Sequence, residues 1–214
     1  MIRVVRAPRK SGRKFNAMLT VQSHSPAMAP AQNRILKAFN ERAKAAGWPF
    51  QCSLAEGFER PQLAVALALW QEKAAGRAMP ARADLTARAM KPFLTQMSLL
   101  ERILVDGRHR YRLRIHGTAL ARYCIDGTGK FLEEIVFGER IHGYRALYDT
   151  LLEVRAPLRV VSNYQAPEID YLTGETLLAP LSTAGSDTPL ILSVTYAKPR
   201  TEIAGGIDAL RQQA

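Results

Sequence analysis

Arg110, Arg112 and Arg114 are the first candidates for chemistry, because at a spacing of two on an extended strand they form a row of guanidinium groups suited to phosphate. Their surroundings favour a structural use. Met97, Leu99 and Ile103 would share that face on a paired strand, so the arginine stems are expected to cover apolar surface, with Arg112 held by Glu101. Gly127-Thr128-Gly129-Lys130 has the outline of a phosphate loop. A P-loop, however, needs glycine where Cys124 stands and Ser or Thr where Phe131 stands, so a tight turn is expected. His24, His109, His116 and His142 do not cluster, and Cys52 and Cys124 lie far apart without a CxxC. Neither a metal centre nor a disulfide framework is predicted. With no GxSxG, no HExxH and no carboxylate pair of readable spacing, the sequence predicts a non-enzyme with the reduced thiols of a cytoplasmic protein.

The elements that would position these residues are clearest at residues 96–118. Two β-type runs flank Asp106-Gly107, a pair that accepts the positive φ angles of a type I′ hairpin turn. A two-residue loop sets Val105 opposite Arg108, Leu100 opposite Leu113 and Glu101 opposite Arg112. Strict alternation would then point Tyr111, Leu113 and Ile115 one way and Arg110, Arg112, Arg114 and His116 the other. Before the hairpin, Ile35, Leu36, Phe39 and Ala43 share one face of a helix over Ala31–Ala46, which needs a surface of its own chain or of a second copy. Trp48-Pro49-Phe50 and the Gly57 region read as a break. A second helix runs from Pro61 to Ala75, with Leu63, Leu67, Trp70 and Ala74 on one face, and Asp84 caps a short helix over Leu85–Met90. Beyond the hairpin, Gly117 ends the strand and Thr118 caps a short helix over Ala119–Cys124. A turn leads into Phe131–Val136, and a longer helix spans Arg140–Val154, stopped by Pro157. Strands follow at Leu158–Tyr164, Tyr171–Ser182 and Leu190–Ala197, separated by loops at Ala166-Pro167 and Ala184–Asp187. Glu202–Gln213 is expected as a short helix weakened by Gly205-Gly206. No internal repeat is visible.

The formal charge of +11 points to nucleic acid until it is mapped. Eight of the 30 basic residues fall in residues 1–40, which hold no Asp or Glu, leaving the remainder at a net charge of only +3. Six of those eight lie in a basic leader over residues 1–30, expected to be disordered rather than a nucleic-acid arm. It is Arg-rich like a transit peptide but lacks the apolar core of a secretory signal, and Met18 and Met28 offer alternative starts. The longest apolar run, Leu63–Trp70, is far short of the ~20 residues that span a bilayer, so a soluble protein is expected.

In this arrangement the chain resembles a PAS domain, in particular the single-domain bacterial group preceded by a Trp-bearing helix. The resemblance is carried by Leu69-Trp70, by Gly76-Arg77-Ala78-Met79-Pro80-Ala81-Arg82-Ala83-Asp84-Leu85, and by Tyr111-Arg112-Leu113 with Gly117-Thr118. It continues through Thr128-Gly129-Lys130, Tyr144 with Leu147-Tyr148, and Ala179-Pro180-Leu181-Ser182. It divides the chain into the leader, a helix and linker over 31–57, a PAS-like domain over 58–198 and a tail over 199–214. It implies an α+β fold: a five-stranded antiparallel sheet of order 2-1-5-4-3, helices on its concave face and flanking N-terminal helices. Trp70, Glu101, Arg112, Gly117 and Thr118 would be structural. Tyr111, Leu113, Tyr123, His142, Tyr144, Tyr148, Asn163 and Ser193 would line the cradle for a small ligand, or simply fill its core. Some members of the family hold haem through a helix histidine, for which His142 is the candidate. A flavin photosensor would need an Asn-Cys-Arg-Phe setting that Cys124 lacks. The resemblance implies a cytoplasmic sensor that signals to a separate partner chain. The rival reading is a dimerising or adaptor module working through its N-terminal helices, and a nucleic-acid-associated regulator using residues 1–14 ranks last.

Overall fold

The Asp106-Gly107 pair decides how the sheet begins. In the computed structural model, which describes residues 30–123, 125–164, 169–183 and 186–199, these residues take φ angles of 50° and 72°. Those are the values of a type I′ turn, whose twist matches that of the strands it joins. The hairpin is β2 (Met97–Val105) and β3 (Arg108–His116), paired Val105↔Arg108, Glu101↔Arg112 and Leu100↔Leu113. Strict alternation fails beyond that point. Leu99 faces Ile115, so Arg114 is the extra residue of a β-bulge. The bulge leaves Ile115 38% exposed and turns His116 to the side of Leu113.

The sheet has six antiparallel strands rather than the expected five. The others are β1 (Phe50–Leu54), β4 (Leu158–Asn163), β5 (Leu172–Thr183) and β6 (Ser186–Pro199). The order is β1-β4-β5-β6-β2-β3, which corrects the expected 2-1-5-4-3 by a strand added at one edge. Pro49 before it and polar Gln51 and Ser53 within it hide this strand in the sequence, where the region reads as a break. Phe50 and Cys52 are nevertheless buried. Burial also pushes the Cys52 thiol far above its ordinary pKa, so it stays protonated. The outer edge of β1 is closed by the Asn40 side chain, whose Nδ2 donates to the Cys52 carbonyl at 2.8 Å while its Oδ1 accepts the Cys52 N–H at 2.9 Å.

Both faces of the sheet are covered. On one lie α1 (Pro30–Ala45) and α3 (Arg140–Val154). Leu36, Phe39 and Ala43 of α1 join Trp48, Phe50, Leu147, Leu151, Val160 and Leu178 in one core, and Gln32 Nε2 donates to the Val154 carbonyl at 2.9 Å. Gly143 makes this packing feasible: a Cβ there would stand 2.9 Å from the Phe50 ring and 3.0 Å from Trp48. On the opposite face α2 (Pro61–Ala74) seats Leu63, Ala66, Trp70 and Ala74 against Leu99, Leu177, Ala179 and Leu192. The Trp70 indole N–H donates to the Pro180 carbonyl at 2.9 Å. The apolar stripes of both helices are therefore packed within the chain.

That second face carries a buried ionic cluster. Glu175, 1% exposed, accepts the N–H groups of Glu59 and Arg60 at 3.0 and 2.9 Å and Arg159 Nε at 2.6 Å. Glu59 in turn lies 3.7 Å from Arg159 and pairs with Lys198.

Two expected short helices differ. Asp84 does not cap a helix over Leu85–Met90. It ends a 3-10 turn over Arg82–Asp84, accepting the Ala81 N–H at 2.8 Å and Arg77 at 2.7 Å, because Leu85 leaves the turn to become fully buried. Thr118 caps nothing: a 3-10 turn over Leu120–Arg122 starts after Ala119, without a side-chain cap. Strand β6 begins at Ser186, inside the loop expected over Ala184–Asp187. The leader, Cys124, the Ala166-Pro167 loop and the Glu202–Gln213 helix lie outside the described residues. None of the described helices is long and apolar enough to cross a membrane.

Candidate functional site

Between α3 and the sheet lies a cavity of about 200 Å³. Its roof and one end are apolar: Leu147 and Tyr148 of α3, Leu132 and Ile135 from the irregular segment before it, and Leu100, Leu113 and Leu178 from the strands. Its floor is polar, since Ser98, Ser162, Thr176, Ser193 and Thr195 also face it, and Asn163 borders it. Register explains the stripe. Ser98 pairs with Ser193 across β2 and β6, and Thr195 pairs with Thr176 across β6 and β5, so short polar side chains of period two meet on neighbouring strands.

The stripe is hydrogen-bonded within itself. Thr176 and Thr195 hydroxyls lie 2.9 Å apart, Ser193 and Thr195 hydroxyls 3.5 Å apart, and Thr173 Oγ1 donates to Asn163 Oδ1 at 2.9 Å. At the bulge, Ser98 Oγ is 3.2 Å from His116 Nδ1. Burial holds the His116 pKa below its ordinary value, although the nearby Asp126 carboxylate acts the other way, so the ring is mostly neutral at pH 7. Asp126 itself is held below the usual carboxylate range by the Thr128 N–H and hydroxyl, at 3.0 and 2.9 Å. Arg140, the first residue of α3, reaches the cavity from its exposed side. Such a surface can hold a small molecule by shape and neutral hydrogen bonds. Among the described residues no group of His, Cys, Asp and Glu is placed to bind a metal ion.

Five of the eight residues expected at the cradle meet here: Leu113, Tyr144, Tyr148, Asn163 and Ser193. Three do not. Tyr111 is fully buried beneath the roof, its hydroxyl donating to Asp149 at 2.5 Å and its ring 5.1 Å from Tyr148. Burial first, and then the Asp149 carboxylate, raise its pKa, so it stays protonated. Tyr123 ends its 3-10 turn outside the lining, 5.7 Å from the Tyr164 ring. His142 is 56% exposed and 3.8 Å from Glu139; it faces solvent rather than the cavity, which removes the geometric basis for a haem ligand. Sequence reasoning missed Phe50, Ser98, His116, Arg140, Ser162, Tyr164, Thr176 and Thr195. The alternation Ser193-Val194-Thr195 held a usable signal, whereas the bulge that turns His116 inward left none.

The arginine row is consumed by the chain. Arg112 and Arg114 both bind Glu101, the latter at 3.1 Å, and Glu101 is 4% exposed. Arg110 stacks 3.7 Å over the Phe131 ring and 3.5 Å from Glu133, which also pairs with Arg145. The Gly127–Lys130 segment is a turn tied to Leu113 of β3: the Gly129 N–H donates to the Leu113 carbonyl at 2.7 Å, and the Lys130 carbonyl accepts the Leu113 N–H at 2.9 Å.

No curated protein matches the chain. The family model described as PAS domain matches residues 59–195, from two residues before the start of α2 to the cavity-facing Thr195.

Proposed function

The chain belongs to the PAS domain family, and from that premise we propose that it is a non-catalytic sensor of the cytoplasm. In this reading it binds a small ligand between α3 and the sheet and signals to a separate partner chain. A PAS domain is a sensory or an interaction module. What favours sensing is a single observation: the sheet and α3 enclose a cavity of about 200 Å³ whose apolar roof faces a hydrogen-bonding floor, instead of being packed solid by side chains. A binding molecule would bridge β6, β5 and α3, and so couple the sheet to the helix that covers it.

A thermal-shift screen of metabolites against the full chain tests this reading. A native-state binder at 100 times its Kd adds about 2.7 kcal/mol, or about 5–11 °C at 2–4 °C per kcal/mol for a domain of this size. The expected result is a stabiliser whose effect disappears in Leu178→Phe, where the added ring fills the cavity. A broad screen without a stabiliser, together with purified protein that releases no small molecule on denaturation, overturns it.

A further inference from the structure

The charge around the cavity points to the class of the ligand, granted the reading of this cavity as a ligand site. We infer that it takes a small organic anion, with a carboxylate at the Arg140 end and an apolar body lying toward Leu100 and Leu178.

Among the described residues, the side chains that line the cavity include no Asp or Glu, and their one permanent charge is the guanidinium of Arg140. Arg110, Arg112, Arg114, Arg145 and Arg159 each meet a carboxylate, whereas several described arginines, Arg88 and Arg155 among them, do not; of those without one, Arg140 is the arginine that lines the cavity. Arg140 makes no ion pair among the described residues, although Glu139 precedes it and inclines toward His142 instead. Thr176 and Thr195 add hydroxyl groups to the lining, and no carboxylate competes with them among the described residues. Leu100, Leu113 and Leu178 give the body of a ligand apolar surface to lie against. An amine or a divalent cation would find no counter-charge here, and the volume limits the body to a single ring or a short acyl chain.

The experiment compares acids with their uncharged amides on the full chain, by calorimetry at fixed ionic strength, using phenylacetate against phenylacetamide and hexanoate against hexanamide. At least one acid is expected to bind tenfold or more tightly than its amide. Arg140→Gln, an exposed position where the fold is not at stake, is expected to erase that preference by weakening the acid alone. Arg88→Gln, far from the cavity, is expected to leave it intact. An amide that binds as tightly as its acid, or an Arg140→Gln variant that keeps the preference, overturns the anion assignment while the cavity remains a ligand site. If none of the four probes binds, the anion assignment falls, and the metabolite screen alone then decides the sensor reading.

Discussion

Replacing Glu175 by glutamine keeps the shape of the side chain and removes what the strand is built around. The carboxylate serves three donors at once: Oε1 takes the Glu59 N–H and Arg159 Nε, and Oε2 takes the Arg60 N–H. Glutamine has one acceptor oxygen, and its NH₂ group would face either a backbone N–H or the guanidinium, donor against donor. Arg159, 9% exposed, would keep only Glu59 at 3.7 Å. Removing one member of a buried ion pair costs about 3–5 kcal/mol, equivalent to about 6–20 °C of Tm in a domain of this size. Urea unfolding with the same m-value in both proteins measures the loss directly. Because Glu59 and Arg60 enter α2, the Trp70 environment should loosen as well, read from near-ultraviolet circular dichroism. A loss below about 1 kcal/mol would refute the reasoning, by showing that the cluster is hydrated or readily rearranged.

Three further outcomes follow from the same geometry. His116 has a folded-state pKa below its unfolded value of 6.5, so the unfolded chain takes up its proton first, and stability falls as pH drops through 6.5 toward the folded pKa. His116→Gln should flatten that part of the stability–pH curve relative to the parent, while an unchanged curve would contradict the burial of the ring. Gly117→Ala would place a Cβ 2.8 Å from the Met97 carbonyl oxygen and closer still to Thr95 backbone, so a loss of about 1–3 kcal/mol or more is expected by thermal unfolding. Tyr111→Phe deletes the hydroxyl that donates to Asp149 at 2.5 Å but keeps the ring, and should cost about 1.5–3 kcal/mol in urea unfolding; a neutral change would show that water replaces that bond.

Much of the framework was legible where a local rule and a long-range requirement agree. Asp106-Gly107 permits only a narrow range of turns, so the Glu101–Arg112 pairing could be counted back from it. The limits of α3 follow from a 3.6-residue period between Arg140 and Pro157. What escaped lacks such a rule. The bulge at Arg114 depends on how β3 meets the Gly127–Lys130 turn, a contact between segments that no period encodes. Strand β1 is only five residues long and pairs with β4, more than 100 positions away. Tyr111, expected at the cradle, points to the right side of the sheet but stops beneath Tyr148, because direction along a strand does not say how deep the neighbouring helix sits. The cavity wall at Leu120, Leu132 and Ile135 belongs to irregular chain, where burial is decided by the helix above it.

The contact between Asn40 and Cys52 ties two boundaries into one part. A carboxamide stands where a seventh strand would dock, so the ribbon terminates by side-chain chemistry rather than for want of more chain. Asn40 also rides on the helix that, through Phe39 and Ala43, roofs the Trp48 and Phe50 end of the interior. Whatever peeled that helix away would unzip the margin and bare the greasy side beneath it in the same motion, so one latch guards against both pairing with strangers and wetting from within.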